Sequence, residues 1–217
     1  MVAITDVLGA VMADDGMGRL ILVKDFVNTL DLEEETEALS GPAELAGWLS
    51  ERGLLATPAA TPEEHAQALA TRETIRRLLL ANNGEQARPE DLATLDRLAA
   101  RASLTPRFSP EGVRLEPRAG GVTGALGRLL AIMAEAMAEG SWNRLKACSD
   151  HGCQWAFYDR SKNQSGHWCS MKVCGNRAKA RQFREKRKNA GETGFPPSPL
   201  PQSGVGVVGK NQPIRPE

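Results

Sequence analysis

The chain has 217 residues, and its 27 basic side chains balance its 27 acidic ones, so total charge identifies no partner. The distribution is uneven: residues 1–147 hold 15 basic and 22 acidic groups, net −7, and residues 148–188 hold 10 and 3, net +7, an acidic body carrying a small cationic module. No leader-like N-terminus and no apolar run approaching bilayer length stand out, which excludes a membrane protein and implies a cytoplasmic one, where four cysteines within 27 residues are better metal ligands than disulfides.

Residues 1–18 assign themselves to no element. Arg19 to Val23 is a short apolar run that reads as a strand entering a helical turn over Asp25-Phe26-Val27-Asn28-Thr29-Leu30-Asp31. From Gly41 the signals are helical. Pro42 suits a first helical position, Leu45, Trp48 and Leu49 share a face, and Gly53 is placed to end the helix. Thr61-Pro62-Glu63-Glu64 is a capping box opening a longer helix with Leu69, Ile75, Leu78 and Leu79 inward, closing near Gly84. Pro89 starts a third helix with Leu92, Leu95, Leu98 and Ala99 inward. Arg107-Phe108 and Val113-Arg114-Leu115 then flank the turn residues Ser109-Pro110-Glu111-Gly112, a predicted hairpin. A fourth helix runs from Val122 to Glu139, with Leu126, Leu129, Leu130, Ile132 and Met133 apolar, and stops at Gly140.

The next segment carries the chemistry. Cys148-x4-Cys153-x15-Cys169-x4-Cys174 sets two cysteine pairs either side of a hairpin-sized insert, the pattern of a tetrahedral structural zinc site. Four sulfur ligands close the coordination sphere, so no position is left for catalysis. Trp155-Ala156-Phe157-Tyr158 supplies a strand and an aromatic core for a module too small to fold without metal. Asn176 is a candidate N-cap, placing Cys174 at the positive end of a helix, and Lys146, Lys172 and Arg177 offset the thiolate charge. In that helix Arg177, Arg181, Arg184 and Lys188 recur on one face, a cationic stripe suited to phosphates. After Lys188 the chain turns proline- and glycine-rich, and residues 189–217 read as a disordered tail.

Other polar residues have plainer readings beside the functional ones. His151 and His167 sit next to ligand cysteines, but a filled tetrahedral site gives them solvent-facing or hydrogen-bonding roles. Asp25, Asn28 and Thr29 either tie a turn or line a pocket. Arg72 and Arg76, one turn apart, either line an anion pocket or form surface ion pairs. No catalytic triad, phosphate-binding glycine loop or spaced carboxylate pair appears, so an enzyme is not expected.

Phe157-Tyr158-Asp159-Arg160-Ser161, Trp168-Cys169-Ser170-Met171 and Cys174-Gly175-Asn176-Arg177 resemble the CGNR zinc finger. Asp25-Phe26-Val27-Asn28-Thr29 and Arg72-Glu73-Thr74-Ile75-Arg76 are similar to the ABATE domain, which precedes this finger in bacterial proteins described as stress-induced transcription regulators. Gly166 and His167 stand where the finger often carries arginines.

The expected fold is α+β. A mainly helical N-terminal domain with a short hairpin (1–140) precedes a treble-clef-like module of knuckle hairpin plus helix (141–188) and the tail (189–217). The resemblance implies one structural zinc held by Cys148, Cys153, Cys169 and Cys174, and a DNA-binding finger fused to a domain that senses a small ligand or dimerises. The nucleic-acid candidates are Arg160, Lys162, Arg177, Lys179, Arg181, Arg184 and Lys188, and the ligand candidates are Asp25, Asn28, Thr29, Arg72 and Arg76. The alternative is a zinc-stabilised protein-interaction module without DNA binding, its acidic body docking a basic finger.

Overall fold

A computed structural model of the chain describes residues 17–110 and 112–189. The unassigned N-terminal segment, up to residue 16, and the expected disordered tail, from residue 190, lie outside the described residues.

The first element corrects the sequence reading. The segment expected as a strand is a helix, α1 (Leu20–Val27), which buries Leu20, Val23, Phe26 and Val27 at spacings of three, three and one. A short apolar run has similar composition as a buried strand or a buried helix, and here the three-residue spacing settles it. The chain then forms a minimal antiparallel pair, β1 (Leu30–Asp31) and β2 (Thr36–Glu37), in register Leu30↔Glu37. Their connection is acidic, and Asp31 Oδ1 accepts the Glu33 and Glu34 amides at 2.9 and 3.1 Å.

Helix α2 (Pro42–Glu51) buries Leu45, Ala46 and Leu49. Helix α3 (Pro62–Ala81) begins at the expected capping box: Glu64 N–H donates to Thr61 Oγ1 at 3.2 Å, and Thr61 N–H to Glu64 Oε2 at 2.9 Å. Helix α4 (Pro89–Ala102) departs from expectation at Leu92, which is 49% exposed. Its buried face is Asp91, Leu98 and Ala102, with Leu95 partly buried. Asp91 takes the inward position because Arg77 grips both its carboxylate oxygens, from 2.6 to 3.0 Å, and Leu92 is thereby turned about 100° away.

The predicted hairpin is β3 (Leu104–Ser109) with β4 (Gly112–Pro117), in register Phe108↔Val113. Helix α5 (Gly121–Glu139) follows, and Gly140 at φ 79° ends it. Two glycines let neighbouring groups approach α5 closely. A Cβ at Gly127 would stand 2.6 Å from Ala102 Cβ and 3.0 Å from Pro117 Cβ, and one at Gly124 would overlap the Ala119 carbonyl. By length and composition α5 could cross a membrane, contrary to the expectation that no run approaches that length. In this fold it is the central core helix, packed against α1, α2, α3, α4 and β4 with eleven buried residues.

Beyond α5, a 3₁₀ turn (Trp142–Arg144) leads to β5 (Leu145–Ala147), which pairs antiparallel with β6 (Ala156–Tyr158), and the chain ends in α6 (Asn176–Asn189). The architecture is α+β, a mainly helical body with short two-stranded sheets and a C-terminal zinc module. Trp142, Leu145, Ala147 and Ala156 join the same buried cluster as α1, α3 and α5, so the core runs through residue 140. Compactness divides the chain into one unit ending at Lys179 and another beginning at Ala180, whose described part is the remainder of α6.

Arg72 and Arg76, read as lining an anion pocket or forming surface ion pairs, are buried. Arg72, 3% exposed, forks onto Glu37 with both terminal nitrogens at 2.7 Å, reaches Thr29 Oγ1 at 3.1 Å, and bonds Glu73 through Nε at 2.8 Å. Arg76, 1% exposed, donates to Glu73 and to the carbonyls of Val27, Leu30 and Gln154. Buried guanidinium groups survive only when paired and hydrogen-bonded, and every guanidinium nitrogen of Arg72 and Arg76 has a partner.

Replacing Glu37 with alanine strands part of the Arg72 charge and is expected to cost about 3 kcal/mol, at the low end for a broken buried pair because Glu73 remains. Burial works against the Glu37 carboxylate, but the Arg72 fork and the Leu39 amide outweigh it and hold its pKa below the ordinary value. A depressed carboxylate stabilises the fold above its unfolded pKa of about 4.3 and loses that contribution as pH falls through the folded value. Urea denaturation from pH 6 to pH 3 should therefore show a shallower acid loss in Glu37→Ala than in the parent; equal slopes would refute this role.

Candidate metal centre

Each half of the cysteine cluster sits on an element that aims it. Strand β5 runs directly into Cys148, whose amide donates to Trp155 O at 3.0 Å and so extends the β5–β6 ladder by a step. The chain between turns back on itself: Cys153 and Gln154 amides both bond Asp150 O at 2.8 and 3.0 Å, and Gln154 takes a left-handed φ of 47°. This is the first pair. The second comes from Cys169 and from Cys174 in a π-helical turn, Met171–Gly175, that passes into α6.

The four Sγ atoms all lie within 4.8 Å of one another, with Cys153–Cys169 and Cys169–Cys174 both at 3.6 Å. Tetrahedral zinc with bonds of about 2.3 Å separates its sulfurs by about 3.8 Å, so the donor set fits the ion. Cys148, Cys153 and Cys174 are buried and Cys169 is partly exposed. Burial pushes the Cys153 thiol up to about 12 and raises that of Cys169 as well. At Cys174 burial acts the same way, yet hydrogen bonds from Arg177 and the neighbouring cysteines outweigh it and the thiol lies below its ordinary range. Holding four thiolates together therefore requires a divalent cation, and loading it releases protons.

Charge compensation differs from the sequence reading. Asn176 is no N-cap: its backbone is helical at φ −70°, and its Nδ2 donates to Lys172 O at 3.0 Å, because the π-helical turn places the helical start upstream of it. The Cys174 sulfur instead receives Arg177 Nη2 at 3.1 Å. Arg177 also forks onto Glu33 at 2.7 and 2.9 Å and meets Asp150 Oδ2 through Nε at 3.0 Å. That contact holds the Glu33 carboxyl below its ordinary range. Lys146, also expected near the thiolates, is buried against Asp159 at 2.8 Å and bonds the carbonyls of Gln164 and Gly166, fixing the 159–166 loop.

The body holds this module by its main chain. Asn28 brackets β6, donating to Ala156 O at 3.0 Å and accepting Ala156 N–H at 2.7 Å. Asn83, just beyond α3, donates to Ala147 O and His167 O at 2.8 and 2.9 Å, while its Oδ1 lies 2.8 Å from His167 Nδ1. Asn82 donates to Trp142 O and Leu145 O, and Arg76 to Gln154 O. Gly166 donates its amide to Asp159, whose carboxylate a Cβ there would meet at 3.0 Å. Gly166 and His167 thus serve the packing of the module.

Of the candidate ligand residues, Asn28, Thr29, Arg72 and Arg76 fall in this buried network and take the partners described above. Asp25 stands apart on α1, beside Lys24 at 3.3 Å. Of the cationic candidates, Arg160 and Lys162 are exposed on the loop after β6, Lys179, Arg181, Arg184 and Lys188 are exposed on α6, and Arg177 is engaged with two carboxylates. Sequence reasoning missed Asn82 and Asn83; the only trace they leave is a polar pair before Gly84, which also reads as an ordinary helix end.

A family model described as "Putative stress-induced transcription regulator", the ABATE domain, matches residues 20–140. A second, described as "CGNR zinc finger", matches residues 144–187. The first alone spans more than half of the 217 residues, and the chain belongs to the ABATE family, with a CGNR finger following. A search of curated proteins finds no match. Cys148, Cys153, Cys169 and Cys174 hold one structural zinc.

Cys169→Ser should reduce bound zinc, measured by metal analysis of purified protein, from one equivalent to well below it. Arg177→Ala keeps all four ligands but removes the donor to Cys174, and zinc transfer to a chromogenic chelator should be favoured by about tenfold or more, as for other groups that hydrogen-bond a ligand. Unchanged transfer would show that Arg177 contributes nothing to the metal.

Proposed function

We propose that this member of the family is a transcription regulator that binds duplex DNA through its zinc-anchored C-terminal helix. The observation that carries the reading is α6 itself: seven basic residues and one acidic residue in 14, entered from the turn that holds the last zinc ligand. Cationic side chains on a helix neutralise phosphates and release condensed counterions, and the exposed Arg160 and Lys162 add to the same surface charge.

The metal supplies rigidity and no chemistry in this reading. It ties the β5–β6 hairpin to the start of α6. The acidic N-terminal domain is the sensing or dimerising part. It holds the finger through Asn28, Asn82, Asn83 and Arg76, side chains from the ends of α1 and α3 and from α3 itself, so a change in either region reaches the finger. The protein acts in the cytoplasm, where DNA is accessible.

Fluorescence anisotropy of the zinc-loaded chain with random-sequence duplex DNA tests this directly. Binding is expected at low salt, with log affinity falling linearly against log salt, and is expected to weaken strongly once zinc is stripped. Absence of binding at low salt would overturn the proposal.

A further inference from the structure

The basic residues of α6 do not share one face. At roughly 100° per residue, Arg181, Arg184 and Lys188 lie within roughly 40° of Arg177, whereas Lys179, Lys186 and Arg187 lie within roughly 60° of Phe183. At the head of the helix, Arg177 is turned onto Glu33, Asp150 and the Cys174 sulfur, and Ala178 is buried. Those two residues mark the side in use at the head of the helix. Phe183 lies almost opposite their midline. It is 61% exposed, and the Arg187 guanidinium sits 5.9 Å from its ring centroid. An apolar ring left in water on so polar a helix contributes little to folding, so a contact with a partner would cost the fold nothing.

We infer that α6 meets DNA with its Phe183 face, where Lys179, Lys186 and Arg187 contact phosphates and Phe183 packs against thymine methyl groups in the major groove. The inference rests on the DNA-binding reading above. Its partner follows from charge and shape. A helix with seven basic residues and one acidic residue complements a polyanion, and the major groove admits an α-helix. Within that groove the thymine 5-methyl is the apolar group the bases present, and phenylalanine is one of the side chains that contact it. The arginine–lysine stripe continuing from Arg177 is thereby a second, lesser cationic face.

Two pairs of substitutions separate the faces. Lys186→Ala/Arg187→Ala and Arg184→Ala/Lys188→Ala each remove one lysine and one arginine, so a partner sensing only net charge responds equally to both. Against random-sequence duplex, the first pair is expected to lower affinity roughly sixtyfold at 0.1 M salt and to reduce the log–log salt slope by about 1.8, the loss of two phosphate contacts. The second should leave the slope unchanged. The same duplex pool made with uracil in place of thymine lacks the methyl groups; the parent chain should bind it about fourfold more weakly, the value of one buried methyl, and Phe183→Ala should bind both pools alike. Equal losses from the two pairs would overturn the facing, and a parent indifferent to uracil would overturn the thymine contact. If the parent bound neither pool at low salt, the DNA-binding reading itself would fall, with a protein partner in its place.

Discussion

A hairpin with two three-residue strands offers more backbone donors and acceptors than it can pair, and it buries too little apolar surface to stand alone. That deficit governs the C-terminal half of the molecule. Metal answers one part of it by replacing a core with four covalently strong anchor points. The body answers the other part: side-chain amides at 28, 82 and 83 and the Arg76 guanidinium take up main-chain groups of the hairpin and its flanks. Burying such groups unpaired costs several kcal/mol each, so placement of the hairpin follows from where these few donors stand.

The same network explains why polar residues fill the centre of the body. Arg72 and Arg76 would be prohibitive in an apolar interior on their own. They are tolerated because Glu37 and Glu73 neutralise them and because β1, β2 and the end of α1 present carbonyls and hydroxyls along the same line. The acidic turn between β1 and β2 then does double duty, since Glu33 compensates Arg177 beside the cysteine cluster.

Local chemistry was legible in the sequence and tertiary chemistry was not. The Cys148–Cys174 spacing identifies a metal site because the ligand geometry is set within a few residues of each pair. The Thr61 capping box and the Gly140 stop are equally local, and all were found where expected. The start of α1 reads as a strand because its four consecutive apolar residues, Leu20 to Val23, are too short a run to show a period. Leu92 was misplaced because the inward position next to it is held by Asp91, whose burial depends on Arg77 14 residues away. Nothing in the sequence ties Asn28 or Asn83 to the finger, as their partners lie 128 and 64 residues off. Asn176 read as a cap only because nothing in the sequence announces the π-helical turn before it.

The hydrogen bonds that Asn28, Arg76, Asn82 and Asn83 make to the finger fall mostly on peptide groups: Ala156 N and O, Ala147 O, Leu145 O, Gln154 O and His167 O. Such contacts do not depend on which side chain the gripped residue carries. The outward positions of the hairpin and of the loop after it are thus free to drift through evolution without loosening the joint, so a single body can serve as chassis for fingers of differing surface, and new target preferences can arise with no compensating change in α1 or α3.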